Sequence, residues 1–424
     1  MPAVVDVRKR NLWRSLLLLL GVLGPGFVTA SAGNDVGGIS VYSAAGAQFG
    51  YRVLWTLVPL AVSLIVVQEM ATRMGAVTGK GLASLIRENF GVRISFFAMI
   101  ALFIINTGIT ATEFVGIATA SEMFGISRYI VVPIAIVVVF LFILRMNNKV
   151  VERTFVALSL VYLSYIVSAV LAHPNWHAVA LGTVVPDLHF NNIEYLVVVV
   201  GLIGTTISPY MQFYLQSAVV EKGTDEQELW LARTDVVTGS ILAIALAGFM
   251  IIANAATIYM ANEHGAHLAP TQAADFAVAL RPLAGQWASV IFAIGILNAG
   301  LFTATILPLS TSYIVCEAFG FEAAVDRKFA EAPVFFTLFG ICLLAGAAMV
   351  LIPGLPYLKF TVYAQVVQGI LLPPELALML IIINKRNVMG KYTNSLLANV
   401  IAWTTVVVIG GLSIFYVIQQ IAAG

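Results

Sequence analysis

Charge is what this sequence most lacks. Lys, Arg, Asp and Glu make up 10% of its 424 residues, against about 25% in a soluble globular domain. That scarcity excludes a solvated globular surface. The formal net charge of +1 leaves no basic patch for nucleic acid. Cysteine is scarce too. Cys316 and Cys342 stand alone in apolar runs, which excludes a disulfide framework and a thiolate zinc site. Histidine is confined to polar connections, at His173, His177, His189, His264 and His267. A proton relay through intramembrane histidine is therefore not expected. No nucleophile–base pair and no phosphate-cradling loop appears, so neither an enzyme nor a cofactor is expected. A cleavable signal peptide is not expected either. The first apolar run follows Arg8, Lys9, Arg10 and Arg14 and continues past the length of a signal core.

Apolar side chains are abundant instead, at 60% of residues, with a mean hydropathy of +0.96. The class is a polytopic membrane protein. A spanning helix needs about 20 apolar residues, and that window finds eleven runs. They lie near 15–47, 52–72, 94–121, 128–146, 154–172, 194–220, 235–261, 286–315, 333–353, 358–384 and 395–421. With the N-terminus inside, the inner segments hold 18 Lys and Arg and the outer ones only Arg52, Arg128, Arg281 and Lys359. The positive-inside rule thus expects a cytoplasmic N-terminus and an extracytoplasmic C-terminus in the plasma (inner) membrane. The chain reads as one all-α transmembrane domain over 1–424, with no soluble appendage. "TQAADFAVAL" in connection 262–285 reads as a short amphipathic helix.

Two runs are interrupted. Gly33, Gly37 and Gly38 crowd the first, with Asn34 and Asp35 between them. The sixth carries "GTTISP", with hydroxyls at Thr205, Thr206 and Ser208 before Pro209. Each break opens a set of five spans. Interruptions at corresponding positions of two halves point to an inverted repeat with its site at the bilayer midplane. Repeat one covers about 15–172 and repeat two about 194–384, with an extra helix at about 395–421. A charge at the bilayer centre is unfavourable by roughly 2.5–3.5 kcal/mol, so Asp35 is a site by default. No intramembrane Lys or Arg stands ready to pair with it, which points to a cation that comes and goes.

At this point the residues carry a resemblance. "GPGFVTASAGNDVGGISVYSAAGAQFGY" resembles the first span of the Nramp (natural resistance-associated macrophage protein) superfamily of divalent-metal transporters. So do "VTGKGLASLIRENFG", "GTTISPY" and "YAQVVQGILLPPEL" in later parts of the chain. The likeness implies a LeuT-type fold with 11 transmembrane helices, a 5+5 repeat plus one, and helices 1 and 6 broken. It implies a metal site at Ala32 (through its carbonyl), Asp35, Gly38, Thr205, Ser208 and Gln365. Three of these depart from the family pattern. Gly38 stands where the family has its asparagine ligand, Thr205 where it has alanine, and Ser208 where it has its methionine ligand. Val36 replaces a proline, Tyr210 a histidine and Thr110 an aspartate of the family's proton pathway, while Glu113 matches its glutamate.

Loss of a soft thioether in favour of Ser208 leaves a site of oxygen donors, which suits Mg²⁺ or Mn²⁺. Loss of the asparagine at Gly38 is expected to leave room for a partly hydrated ion, as Mg²⁺ prefers. This pattern is similar to the Nramp-related magnesium transporters. Thr110 does not titrate, and Tyr210 cannot replace histidine near neutral pH, so uptake without proton coupling is expected. The bilayer and the metal ion are the expected partners; no obligate protein partner is evident.

Other polar residues leave readings open. Glu113 reads as part of an ion or proton path or as a structural carboxyl. Glu69 reads as an exit group or a partner of Arg73. Glu375 reads as a hydrated group, a partner of a lysine, or a functional one. His173, His177, Asp187 and His189 need no metal to explain them. A proton-coupled transition-metal transporter and a Na⁺-coupled organic-solute carrier are the alternatives. Asp35 weighs against the second, because it would repel a substrate carboxylate.

Overall fold

The computed structural model describes residues 24–145, 150, 154, 163–189, 191–268, 270–325 and 327–423. The basic cluster at 8–14, the start of the first run and most of 154–162 in the fifth run lie outside the described residues. All regular structure among the described residues is helical. Hydrocarbon enforces this, because each backbone amide must be paired within its own segment. The main helices are α1 (Pro25–Ser31), α2 (Val36–Phe49), α3 (Leu57–Thr78), α4 (Leu82–Met123), α5 (Arg128–Arg145), α6 (Leu163–Leu171) and α7 (Trp176–Val184). They continue with α8 (Ile193–Thr206), α9 (Pro209–Glu221), α10 (Leu229–Asn254), α11 (Ala288–Phe319), α12 (Pro333–Val350), α13 (Tyr357–Ile383) and α14 (Leu396–Ala423). Among the described residues, nine helical stretches are long and apolar enough to cross a membrane. One of them, Val36–Thr78, joins the second half of the first expected run to the whole of the second.

Connection 73–93 is shorter than its polarity implies. Helix α3 continues to Thr78, α4 begins at Leu82, and Gly91 (φ 81) marks a kink in α4. Residues 82–90 are helical because Leu82, Leu85 and Ile86, at spacing i, i+3, i+4, bury one face. Connection 173–193 likewise holds α7, capped where Asn175 accepts from the Ala178 amide at 3.1 Å. "TQAADFAVAL" forms a 3₁₀ helix over Ala273–Leu280 with a capping box of Gln272 and Asp275.

Two large apolar clusters organise the interior. One contains Val36 and Ile39 with residues of α3, α8 and α10. The other contains Val28 and Ala32 with residues of α4, α5, α9, α11 and α12. The gap between α1 and α2 falls on their seam. On the Lys/Arg-rich side, Glu69 pairs with Arg73 (3.0 Å), as its i, i+4 spacing anticipates, and also with Arg233 of α10 (2.7 Å).

Nothing in the sequence pattern singles out Asp235 of α10. It is buried and accepts from the amides of Gly24 (2.8 Å), Gly26 (2.8 Å) and Phe27 (3.1 Å) at the start of α1. Helix α1 has 7 residues, too few to hold itself together in isolation, so this carboxylate pins it. Replacing Asp235 by alanine leaves three buried donors bare, each at about 1–3 kcal/mol. The expected result is a loosened α1, read as several-fold faster thiol labelling of a Ser31→Cys reporter. Unchanged labelling contradicts the pinning role.

Candidate metal site

The site forms where two helix breaks meet. After α1 a single 3₁₀ turn, Ala32–Asn34, leads to Asp35, which is extended (φ −67, ψ −175) and serves as the N-cap of α2. Asparagine and aspartate suit that position because their oxygens accept from the free amides of the first turn. Here Asp35 Oδ1 accepts from the Gly38 amide at 2.5 Å. The second break spans Ile207 and Ser208, and Pro209 opens α9, where its missing N–H leaves nothing unpaired. Hydroxyls tie the breaks together. Thr205 donates to the Gly33 carbonyl at 3.2 Å, and Tyr42 to the same oxygen at 3.3 Å. The Tyr42 and Thr206 hydroxyls are 3.0 Å apart. Tyr210 donates to the Ala32 carbonyl at 3.4 Å.

Asp35 is 1% exposed. Its Oδ2 has no hydrogen-bond partner of good geometry, although the carboxyl faces Glu113 and Thr205. Glu113 accepts from the Val36 amide (3.3 Å) and the Thr112 hydroxyl (3.2 Å). Two buried carboxyl groups that face each other are not both anionic unless a cation lies with them, since like charges repel strongly at low dielectric. Glu113 thus faces the candidate site from α4 and also braces the start of α2.

Gln365 of α13 completes one wall. A Cβ at Gly37 would lie 1.7 Å from its Nε2, so only glycine lets the carboxamide in. Neither Gln365 Nε2 nor Oε1 has a hydrogen-bond partner among the described residues. Gly38 differs from expectation. A Cβ there would lie 2.3 Å from the Gly33 oxygen, so that carbonyl fills the room anticipated for a hydrated ion. The small cleft beside Asn34, between Tyr42, Leu64 and Ala243, is too tight for a water molecule. The conformation is closed around Asp35.

Of the residues singled out in the sequence, Asp35, Ala32, Gly38, Thr205, Gln365, Glu113 and Tyr210 converge. The Ser208 hydroxyl lies in the second break and donates to the carbonyls of Gly204 (2.7 Å) and Thr205 (3.2 Å). Thr110 does not converge. Its hydroxyl donates to Asn106 O (2.8 Å) and lies 3.6 Å from Cys342 Sγ of α12. Two contributors went unnoticed in the sequence. Tyr42 holds the Gly33 carbonyl, and the Met211 methyl lies 3.2 Å from where a Gly33 Cβ would sit. A tyrosine in mid-span was the available signal, because its buried hydroxyl needs a partner. Among the described residues no group of three or more His, Cys, Asp or Glu side chains could hold a metal. His189 pairs with Asp187.

Comparison with known proteins follows the same lines. A family model described as natural resistance-associated macrophage protein-like matches residues 26–419. A manganese transporter of Eremococcus coleocola, solved with an aromatic bis-isothiourea compound, superposes with a TM-score of 0.76. It shares 21% identity, and the match covers 99% of this chain and 90% of that one. MhsT, solved with L-phenylalanine, matches with a TM-score of 0.60 at 14% identity, covering 93% and 97% of the two chains. Mhp1, a nucleobase-cation-symport-1 family transporter, matches with a TM-score of 0.56 at 13% identity, covering 94% and 92%. The fold is thus shared with these three proteins and is of the LeuT type.

Proposed function

The chain belongs to the Nramp family of membrane transporters, and from that premise we propose that it carries divalent cations, Mg²⁺ together with Mn²⁺, into the cytoplasm by alternating access and without proton coupling. The single observation that carries this reading is Asp35. It is a buried carboxylate at a helix break, with one oxygen capping α2 and the other unpartnered, facing Glu113 and Thr205. We assign the ion to Asp35, the carbonyls of Ala32 and Thr205, and the oxygens of Ser208 and Gln365, with Gly38 marking a ligand that is absent. Because Asp35 is buried in this closed conformation, a partly hydrated ion enters the site only when the two breaks move apart.

The surroundings of α4 support transport without protons. Beyond Glu113 the side chains toward Thr110 are Asn106, Thr107, Thr110, Thr311 and Cys342 in mutual contact. None of the four hydroxyl and amide groups titrates near neutral pH. A potential of 100 mV, negative inside, favours entry of two charges by about 4.6 kcal/mol, which supplies a driving force without a proton. We also propose that the chain is one transporter domain of two inverted repeats, with its N-terminus in the cytoplasm.

Proteoliposomes loaded with a Mg²⁺ dye and a pH dye test the reading. Mg²⁺ and Mn²⁺ are expected to enter without internal acidification, and Cd²⁺ to compete weakly. Micromolar Cd²⁺ uptake with acidification sinks it. One observation favours a second reading, proton-coupled transition-metal transport: Met211 brings a thioether side chain up to Gly33, and a soft sulfur selects soft metals. Under the first reading Met211→Leu leaves Mn²⁺ uptake within about twofold, a volume-conserving change. A selective fall in Cd²⁺ and Mn²⁺ uptake supports the second.

A further inference from the structure

Helix α13 carries more buried polar side chains than the site uses. Gln365, Gln368, Leu372 and Glu375 recur at i, i+3, i+7 and i+10, so they share one face. All four are buried, Glu375 at 5% exposure. The nitrogens and oxygens of Gln365 and Gln368, and both oxygens of Glu375, have no hydrogen-bond partner among the described residues. The opposite face is accounted for. Pro373 lies 3.7 Å from where a Gly410 Cβ of α14 would sit, and Val366 packs with Leu196, Val200 and Tyr416. At 100° per residue, Gln368 and Glu375 point about 160° away from Val366 and Pro373, so they face the interior of the bundle and not α14.

The stripe has a direction. Its first member, Gln365, abuts Gly37 beside Asp35. Its last lies ten residues on, about 15 Å along the axis, toward Lys385, Arg386 and Lys391. Near that end α13 runs along the first part of α4, where Lys385 donates to Asn89 at 3.1 Å. The charged groups there are committed or solvated. Arg87 donates to Ala318 O (2.8 Å), Lys80 pairs with Glu88 (2.7 Å), and Arg93 is exposed. On α3, Glu69 and Arg73 hold each other (3.0 Å). Among the described residues no side chain pairs with the Glu375 carboxyl. A carboxyl with neither cation nor donor is unfavourable in a packed interior.

We infer that Glu375 is a second cation site, a relay station that receives the divalent ion after it leaves Asp35, with the carboxamides of Gln365 and Gln368 between the two. A lone carboxylate flanked by amide oxygens suits an oxygen-seeking ion that keeps most of its water. The inference rests on the transport function proposed above.

Equilibrium dialysis with radioactive Mn²⁺, and Mn²⁺ uptake by proteoliposomes, test it on the full chain. The wild type is expected to bind one ion tightly and another weakly, and Glu375→Gln to lose the weak one. Uptake by Glu375→Gln is expected to fall about tenfold in maximal rate with a half-saturation that falls too, because release and not capture is slowed. Gln368→Leu gives a milder fall of the same kind and serves if Glu375→Gln does not fold. A purely structural Glu375 alters thermal stability but leaves the binding stoichiometry alone. Wild-type stoichiometry or uptake in Glu375→Gln overturns the inference. So does internal acidification by the wild type that Glu375→Gln abolishes, which makes the residue a proton station. Asp35→Asn separates the two levels. If it and the wild type behave alike, the proposed function fails; if it is inactive while Glu375→Gln is normal, only the relay fails.

Discussion

Uptake of Mg²⁺ and Mn²⁺ by an Asp35→Asn variant is expected to fall at least about a hundredfold, a loss of roughly 2.7 kcal/mol or more. Asparagine is the informative replacement. Its side-chain oxygen caps a helix about as well as aspartate does, so the bond to the Gly38 amide, 2.5 Å in the native chain, survives. What disappears is the charge that faces the unpartnered side of the site. Stripping water from a divalent ion at mid-membrane needs a fixed negative charge, and Glu113 alone has its oxygens engaged by Val36 and Thr112. Alanine at 35 removes the cap as well and adds about 1 kcal/mol of helix destabilisation. The pair therefore separates charge from scaffold. Near-normal Mg²⁺ entry through Asp35→Asn moves the site elsewhere.

The second large effect is expected at Gly38. Placing asparagine there restores the residue type that the family uses as a ligand, and on composition alone it rebuilds a transition-metal site. The geometry points the other way. A Cβ at 38 meets the Gly33 carbonyl at 2.3 Å, Thr205 Oγ1 at 3.0 Å and Tyr42 Cε2 at 3.1 Å. The first of these is backbone held by two hydroxyls, so it cannot rotate aside as a side-chain tip does. Gly38→Ala and Gly38→Asn are thus both expected to destabilise the closed state and reduce uptake of every ion by more than about tenfold, on the scale of an overpacked core. Cd²⁺ flux through Gly38→Asn at the native Mn²⁺ rate contradicts this and restores the ligand reading of position 38.

Much of this architecture was legible because hydrocarbon permits few solutions. Long apolar runs, the two breaks and the isolated Asp35 are direct consequences of the lack of water in the bilayer. What escaped depends on contacts between distant parts of the chain. Asp235 looks like a residue at the edge of a span, and only the fold carries it to Gly24, Gly26 and Phe27. Glu113 was noted on its own helix, but its position opposite Asp35 arises from the way α4 packs against the start of α2. Helix 82–90 was hidden for a different reason. It is amphipathic, and a window tuned to spans averages its Leu82, Leu85 and Ile86 with Arg87 and Glu88. At Gly38 a missing side chain looks like space, and only the fold brings the Gly33 carbonyl beside it.

The carbonyls of Ala32 and Gly33 accept hydroxyls from Tyr210, Thr205 and Tyr42, and one oxygen of Asp35 holds the Gly38 amide. These groups satisfy one another, so the chain closes over them without needing an ion to do so. Under the uncoupled transport proposed above, the carrier returns unloaded, and a midplane that is self-paired keeps that stroke from leaving these carbonyls bare. On that proposal the Tyr210 hydroxyl, which donates to the Ala32 carbonyl, is a placeholder that an arriving ion displaces. Turnover under zero-trans conditions is consequently set by how readily these hydrogen bonds re-form, and exchange of labelled for unlabelled Mn²⁺, which skips that step, is expected to run faster than net uptake.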